Sequence, residues 1–232
     1  MLARLQDNLN QVRDRMTAAC HRAERPVDSV QLVAVTKAAP LDAIAGLIEL
    51  GQTELAENRP QQLSARQKMW PGAHWHLIGH LQRNKAKSIV GLTHLIHSVD
   101  SWRLAECLAN VGATASSEPR RVPILLEVNI SGEASKDGYI PSELWTAWDQ
   151  LVALPGLEIR GLMTMAPILD DPQGAREVFA GLRELRDALQ DRSPENVQLR
   201  ELSMGMSGDF EAAILEGATL VRVGSRLFEG LS

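Results

Sequence analysis

The chain has 232 residues, 44% hydrophobic and 23% charged, with 24 Lys plus Arg against 29 Asp plus Glu and a formal net charge of -5. Apolar content is ordinary and no residue type dominates, which excludes collagen-like, disulfide-scaffold and disordered classes and leaves length for a sizeable core. The acidic balance and an aromatic content of 4% argue against a surface built to grip nucleic-acid phosphates or stack bases.

Leu2, Leu5, Leu9, Val12, Met16 and Ala19 recur at steps of three and four, which predicts an amphipathic helix over 2–19. Arg4, Asp7, Arg13, Asp14 and Arg15 interrupt any signal-peptide core there. After Pro26 the pattern changes to short apolar runs alternating with amphipathic stretches. Strands are expected at 30–36, 53–56, 75–79, 94–98, 122–130, 157–163, 198–202 and 219–223. Helices are expected between them, at 41–50, 59–69, 84–90, 102–111, 142–153, 174–190 and 207–216, with a polar loop at 116–119.

Eight strands, each separated from the next by a helix, point to α/β architecture with a parallel sheet, at the lower end of the size range of a (β/α)8 TIM barrel. A doubly wound open sheet is the alternative, but Val35-Thr36-Lys37-Ala38 offers no GxGxxG after the first strand. No composition shift or low-complexity linker divides the chain, so a single domain over 1–232 with a leading helix is expected. Cys20 and Cys107 lie far apart without CxxC or Cys/His spacing and read as reduced structural thiols. No apolar run approaches the roughly 18 residues of a membrane span. A cytoplasmic protein is expected.

In such a barrel the working residues lie at the C-terminal ends of strands. Lys37 ends the first strand after an apolar run, where partial desolvation would favour its neutral, nucleophilic amine; a lysine snorkelling out of a strand end is the other reading. The loops Ser203-Met-Gly-Met-Ser-Gly208 and Gly224-Ser225 follow strands seven and eight, where barrels often hold phosphate on backbone N–H groups and hydroxyls. Two ordinary Gly/Ser turns would look the same. In strand eight, alternation puts Leu220, Arg222 and Gly224 on one face and Val221 and Val223 on the other. An inward Arg222 needs an acceptor, either a carboxylate or a ligand atom. A Schiff-base lysine, a phosphate cradle and an inward arginine suit pyridoxal 5'-phosphate, although a class I aldolase would use a similar set.

His74 and His76 form an HxH pair at the start of their strand, away from the mouth and without an acidic cluster in sequence, so no metal site is expected. His80 lies nearer the mouth and reads as a loop anchor. Gln82-Arg-Asn-Lys-Ala-Lys87 is a short basic helix start, solvated or touching a partner or a phosphate. Residues 131–138 are a polar, glycine-bounded loop that could cover the mouth.

The chain resembles the YggS/PROSC family of pyridoxal-phosphate homeostasis proteins, whose fold is like the N-terminal barrel of alanine racemase. The resemblance rests on Leu32-Val-Ala-Val-Thr-Lys37, Glu57-Asn58-Arg59, Trp75-His-Leu-Ile-Gly-His-Leu-Gln-Arg-Asn-Lys85, Ser98-Val-Asp100, Val128-Asn-Ile-Ser-Gly-Glu133, Gly161-Leu-Met-Thr-Met165, the tract from Leu202 through Asp209-Phe210-Glu211, and Val221-Arg-Val-Gly224. It implies a covalent aldimine of the cofactor on Lys37, a phosphate held by Ser203, Gly224 and Ser225, Arg222 facing the pyridine nitrogen and Asn58 beside the ring. Ala56 stands where glycine is usual before Glu57-Asn58, and Ser225 where threonine is common. The first change would slightly reposition Asn58.

An arginine at the pyridine nitrogen disfavours its protonation and weakens the cofactor as an electron sink. Alanine racemases add a tyrosine base from a C-terminal β domain and a partner subunit. Here the chain ends at Ser232, and Tyr139 is the only tyrosine and no obvious substitute. The expectation is a non-catalytic carrier with no catalytic residue and no metal, probed by Lys37→Ala, monomeric, handing cofactor to pyridoxal-phosphate-dependent apoenzymes. A pyridoxal-phosphate enzyme acting on amino acids in a racemase-like way is the alternative, and a Schiff-base aldolase the third.

Overall fold

Strand one is flanked by strands two and eight, so the eight strands close on themselves: every neighbouring pair is parallel and the order around the barrel follows the chain. The computed structural model describes residues 1–114, 121–167 and 172–231. The strands are β1 (Gln31–Val35), β2 (Glu54–Glu57), β3 (His74–Leu77), β4 (Leu95–Val99), β5 (Val122–Glu127), β6 (Leu157–Met163), β7 (Glu201–Ser203) and β8 (Leu220–Val223). The helices are α1 (Leu2–Arg22), α2 (Leu41–Glu49), α3 (Pro60–Met69), α4 (Ala86–Ile89), α5 (Trp102–Thr114), α6 (Pro141–Val152), α7 (Arg176–Arg192) and α8 (Phe210–Leu215). The expected (β/α)8 barrel with a leading helix is what forms. The polar loop expected at 116–119 lies outside the described residues.

The period-2 alternation divides the core into two layers. Leu32 and Ala34 of β1, Leu55 of β2 and Val221 and Val223 of β8 pack outward beneath the helices in the larger cluster. Val33, Ala56, Leu95, Leu125, Met163 and Leu220 face the axis and fill part of the interior as a second, smaller cluster. The Ala56 methyl group therefore packs inside the barrel, two residues below Asn58.

α1 keeps the apolar stripe read from sequence, with Leu5, Leu9, Val12, Met16 and Ala19 buried. Asn8, also on that face, donates to the carbonyls of Leu227 at 3.1 Å and Glu229 at 2.9 Å, which binds the end of the chain to its first helix. Arg15 and Glu211 join α1 to α8 through paired contacts of 2.9 and 2.5 Å. Cys20 is buried on α1 and Cys107 half-buried on α5, both as free thiols.

β5 and β7 depart furthest from their expected bounds, by three residues at one end. β5 stops at Glu127 because the Val128–Asn129 backbone turns to bridge Tyr139, with Asn129 N–H donating to the Tyr139 carbonyl at 3.0 Å. β7 starts at Glu201 because Gln190 of α7 captures the backbone before it, accepting from Leu199 N–H at 2.6 Å and donating to the Val197 carbonyl at 3.0 Å. No described helix is long and apolar enough to cross a membrane.

Candidate functional site at the barrel mouth

The register of β1 assembles the site. Val35 pairs with Ala56 on β2, and Ala34 pairs with Val223 on β8. Two residues beyond Val35 stands Lys37, two beyond Ala56 stands Asn58, and one beyond Val223 stands Gly224. All three lie at the C-terminal ends of adjacent strands and share the parity of the residues facing the axis. Lys37 therefore sits between Asn58 on one side and the Gly224–Ser225 corner on the other. The side chain of Lys37 is exposed, not desolvated as its position after an apolar run suggested, because the chain leaves the strand one residue earlier.

A buried ion pair behind the sheet fixes this corner. Thr36 and Glu57 have the parity that faces the helices, and Glu57 accepts from both the Thr36 hydroxyl and the guanidinium of Arg66 on α3. Arg66 also donates to the carbonyls of Thr36 at 2.8 Å and Ala39 at 3.2 Å, so it grips both ends of the turn that carries Lys37. Glycine at 79 does the same for Asn58 by close approach: an added Cβ would lie 2.2 Å from the Asn58 carbonyl oxygen. The Asn58 side chain makes no hydrogen bond among the described residues.

At the opposite wall, Gly224 lets β8 close on β1, since a Cβ there would lie 3.0 Å from the Val35 carbonyl oxygen. Its N–H donates to the Ser207 hydroxyl at 3.2 Å, and Arg226 donates to the Ser207 carbonyl at 2.5 Å. Ser225 is exposed beside them. Backbone amide, two hydroxyls and a cation thus converge on one small corner, a donor set that suits a phosphate dianion. Ser207 was not singled out in the sequence, although its place in the Gly/Ser run after β7 was the signal.

Ser203 is elsewhere. It lies fully buried inside the barrel, where it accepts from Arg222 Nη1 at 2.6 Å and meets His97 Nδ1 at 2.8 Å. Arg222 points inward as the alternation predicted, with 3% of its surface exposed. Burial lowers its guanidinium to about 10, against the attraction of Glu127 and Asp209. Nη2 donates to the Thr164 carbonyl at 3.0 Å, while Nε has no acceptor and no carboxylate forms an ion pair with the guanidinium among the described residues. A buried cation with a donor left over fits a ligand acceptor such as a ring nitrogen.

The third side of the mouth is acidic. Glu127 ends β5, and burial, reinforced by Asp100 and Asp137, pushes its carboxyl up to about 7. His80 anchors to Asp100 at 2.9 Å, the loop contact expected of it, with Asp137 at 4.0 Å. These three groups are close enough to share an ion, but His80 and Asp137 are exposed and only Asp100 is half-buried. Tyr139 is buried, its hydroxyl without a partner among the described residues, and burial with nearby Asp100 raises it well above the ordinary range. In this conformation the 131–138 loop is held by hydrogen bonds at both of its ends. Asn129 bonds the Glu133 carbonyl at 2.8 Å and the Gly132 N–H at 3.0 Å, and Lys136 reaches the Met165 carbonyl at 3.2 Å.

The HxH pair proves to have a carboxylate companion that sequence proximity hides. Glu54, at the start of β2, meets His74 Nδ1 at 2.6 Å and His76 Nε2 at 2.8 Å. Both imidazoles are engaged at the N-terminal end of the barrel, far along the strands from Lys37.

The family model described as "Alanine racemase, N-terminal domain" matches residues 2–231. The pyridoxal phosphate homeostasis protein of Aquifex aeolicus is 39% identical over 224 residues, spanning 96% of this chain and 96% of that one. The structure of PipY from Synechococcus elongatus PCC7942 with PLP bound superposes with a TM-score of 0.80 at 38% identity, covering 94% of this chain and 99% of that one. An alanine racemase from Clostridium difficile 630 shares the fold at 13% identity, with a TM-score of 0.77 over 97% of this chain and 59% of the enzyme.

Proposed function

The chain belongs to the YggS/PROSC family of pyridoxal phosphate homeostasis proteins, and from that membership we propose that it binds pyridoxal 5'-phosphate at the barrel mouth and carries it rather than turning it over. The observation that supports this most is the β1 register, which sets Lys37 between Asn58 and the Gly224–Ser225 corner. Lys37 Nζ is the proposed point of covalent attachment, as a Schiff base. The amide of Gly224 and the hydroxyls of Ser207 and Ser225 receive the phosphate, while Ser203 acts one layer deeper by holding Arg222. Asn58 lies along the ring, and the free Nε–H of Arg222 is the donor for the ring nitrogen. When bound, the cofactor supplies an aldehyde for the amine and a conjugated ring able to accept electrons.

The chain's own groups favour holding over turnover. A donor at the ring nitrogen competes with a proton there, which keeps the ring a poor electron acceptor. Pyridoxal-phosphate-dependent apoenzymes are the proposed receivers, and a monomer the proposed state. Glu127 supports the racemase-like alternative to a limited degree, since a carboxyl near 7 at the mouth could move a proton. Deuterium wash-in at the α-carbon of amino acids separates the two readings.

The direct test is the visible spectrum of the desalted protein after incubation with pyridoxal 5'-phosphate. Wild type is expected to retain a visible band and Lys37→Ala to lose it. A wild type that stays colourless overturns the reading.

A further inference from the structure

Ser203 and Arg222 are one end of a hydrogen-bonded chain that traverses the barrel. Arg222 Nη1 meets Ser203 Oγ at 2.6 Å, and Ser203 Oγ meets His97 Nδ1 at 2.8 Å. His97 Nε2 meets His76 Nδ1 at 2.8 Å, and His76 Nε2 meets Glu54 Oε2 at 2.8 Å. The members come from β8, β7, β4, β3 and β2. Because β4 and β7 are not neighbours in the sheet, the His97–Ser203 link crosses the interior. His76, His97, Ser203 and Arg222 are each between 0% and 3% exposed, so water does not substitute for any member.

With both imidazoles neutral, the two ends set the sense of every link. A guanidinium only donates and a carboxylate only accepts. Burial acts to raise the Glu54 carboxyl, but hydrogen bonds from His76 and His74 outweigh it and hold the group at about 2, so it is ionised. His76 must therefore carry its hydrogen on Nε2, and in the neutral ring Nδ1 is left as an acceptor. His97 then carries its hydrogen on Nε2 and offers the Nδ1 lone pair to Ser203. Burial, with His76 and Arg222 adding, keeps His97 well below the ordinary histidine range, in line with a neutral ring. The single hydroxyl hydrogen of Ser203 goes to His97, and its lone pairs remain to accept from Arg222. With both rings neutral, one assignment satisfies all four contacts.

We propose that Glu54, His76 and His97 are positioning residues of the cofactor site: they fix the rotation of the Ser203 hydroxyl, aim its free lone pairs at Arg222 and so hold the guanidinium in the orientation that meets the ring nitrogen. This rests on the reading above that Arg222 faces the ring. With the chain broken at His97, the Ser203 hydroxyl rotates freely and the guanidinium keeps one directed acceptor, the Thr164 carbonyl. The far end is steadied by His74 on the second Glu54 oxygen, with His94 stacked on His74 at 4.7 Å and tilted against His76 at 5.5 Å.

The test has two arms on the full chain. In the first, histidine 15N resonances of the cofactor-free protein are expected to show His76 and His97 both protonated on Nε2 and bare on Nδ1. A hydrogen on Nδ1 of His97 overturns the proposal whatever the cofactor does. In the second, Glu54→Gln, His97→Phe and His97→Asn are loaded with pyridoxal 5'-phosphate. Glu54→Gln and His97→Phe are expected to bind roughly tenfold more weakly, as loss of a directed charged hydrogen bond implies, and to move the visible band. His97→Asn, which returns an acceptor oxygen to Ser203, is expected to restore the wild-type band. Glu54→Gln is nearly isosteric and keeps the test open if His97→Phe does not fold. A normal wild-type band with unmoved bands in all variants overturns the proposal alone, whereas a wild type without any band removes the reading of the site and the proposal together.

Discussion

Arg66 donates to the carboxylate of Glu57, whose surface is 0% exposed, and the same guanidinium holds the carbonyls of Thr36 and Ala39 on either side of Lys37. The ion pair thus sits directly behind the residue proposed to carry the cofactor, on the helix-facing side of β1 and β2. Glu57 Oε2 already lacks a partner among the described residues, so the carboxylate depends on Arg66 for most of its compensation. Removing the cation leaves a buried charge unpaired, which costs about 3–5 kcal/mol. Arg66→Met is expected to lower the urea midpoint accordingly, and Arg66→Met with Glu57→Gln to recover much of the loss. The single variant is also expected to slow borohydride-trappable attachment at Lys37, because its turn loses both anchors.

The close approach of Gly79 to Asn58 gives a steric prediction. A methyl group at 79 would lie 2.2 Å from a backbone oxygen, an atom that cannot swing aside. Gly79→Ala is expected to destabilise the fold by about 1–3 kcal/mol through overpacking and to weaken cofactor affinity by displacing Asn58. Gly72→Ala has nothing within 4 Å and serves as the neutral comparison in the same thermal melt.

Glu127 makes stability depend on pH in an unusual direction. Its carboxyl is raised to about 7, so the folded state binds a proton that the unfolded state has already released at neutral pH. Stability therefore rises as pH falls from above 7 toward the ordinary carboxylate range, and the burden on the fold is largest in alkali. Glu127→Gln is expected to stabilise the protein by on the order of 2 kcal/mol at about pH 8, with the gain fading by about pH 4.5. Paired denaturation curves across that window measure it; a gain independent of pH would mean that the charge is not the cause.

Ser207 and Ser203 are expected to separate by ligand. Ser207→Ala removes the hydroxyl that meets Gly224 N–H, and should weaken pyridoxal 5'-phosphate roughly tenfold while leaving unphosphorylated pyridoxal unaffected. Ser203→Ala should weaken both, since its partner is Arg222, the residue proposed to meet the ring. Competition titrations with the two compounds distinguish the outcomes.

Much of the fold was legible because local signals agreed. Apolar runs, helical stripes and the change of pattern after Pro26 all told the same story, and the lone Arg222 among valines declared which face of β8 turned inward. Lys37 was legible as a position but not as an environment, since one residue of strand length decides between burial and exposure. The interior chain was not legible at all. Glu54, His76, His97 and Ser203 are spread over 150 positions of sequence, and only barrel closure brings β4 opposite β7. Ser203, expected at the phosphate corner, lies one layer deeper: its neighbours in sequence line the mouth, while its alternation parity sends its own side chain inward.

The exposure of Lys37 bears on how long a cargo stays. An amine in open contact with solvent leaves whatever carbonyl it captures within reach of water and of other amines, including those on a second protein. On the proposed reading, retention rests on the anion corner and the arginine below rather than on enclosure. On that reading, loading and unloading need no part of the barrel to open, and the lifetime of the attached molecule responds to the local supply of competing amines as well as to that grip.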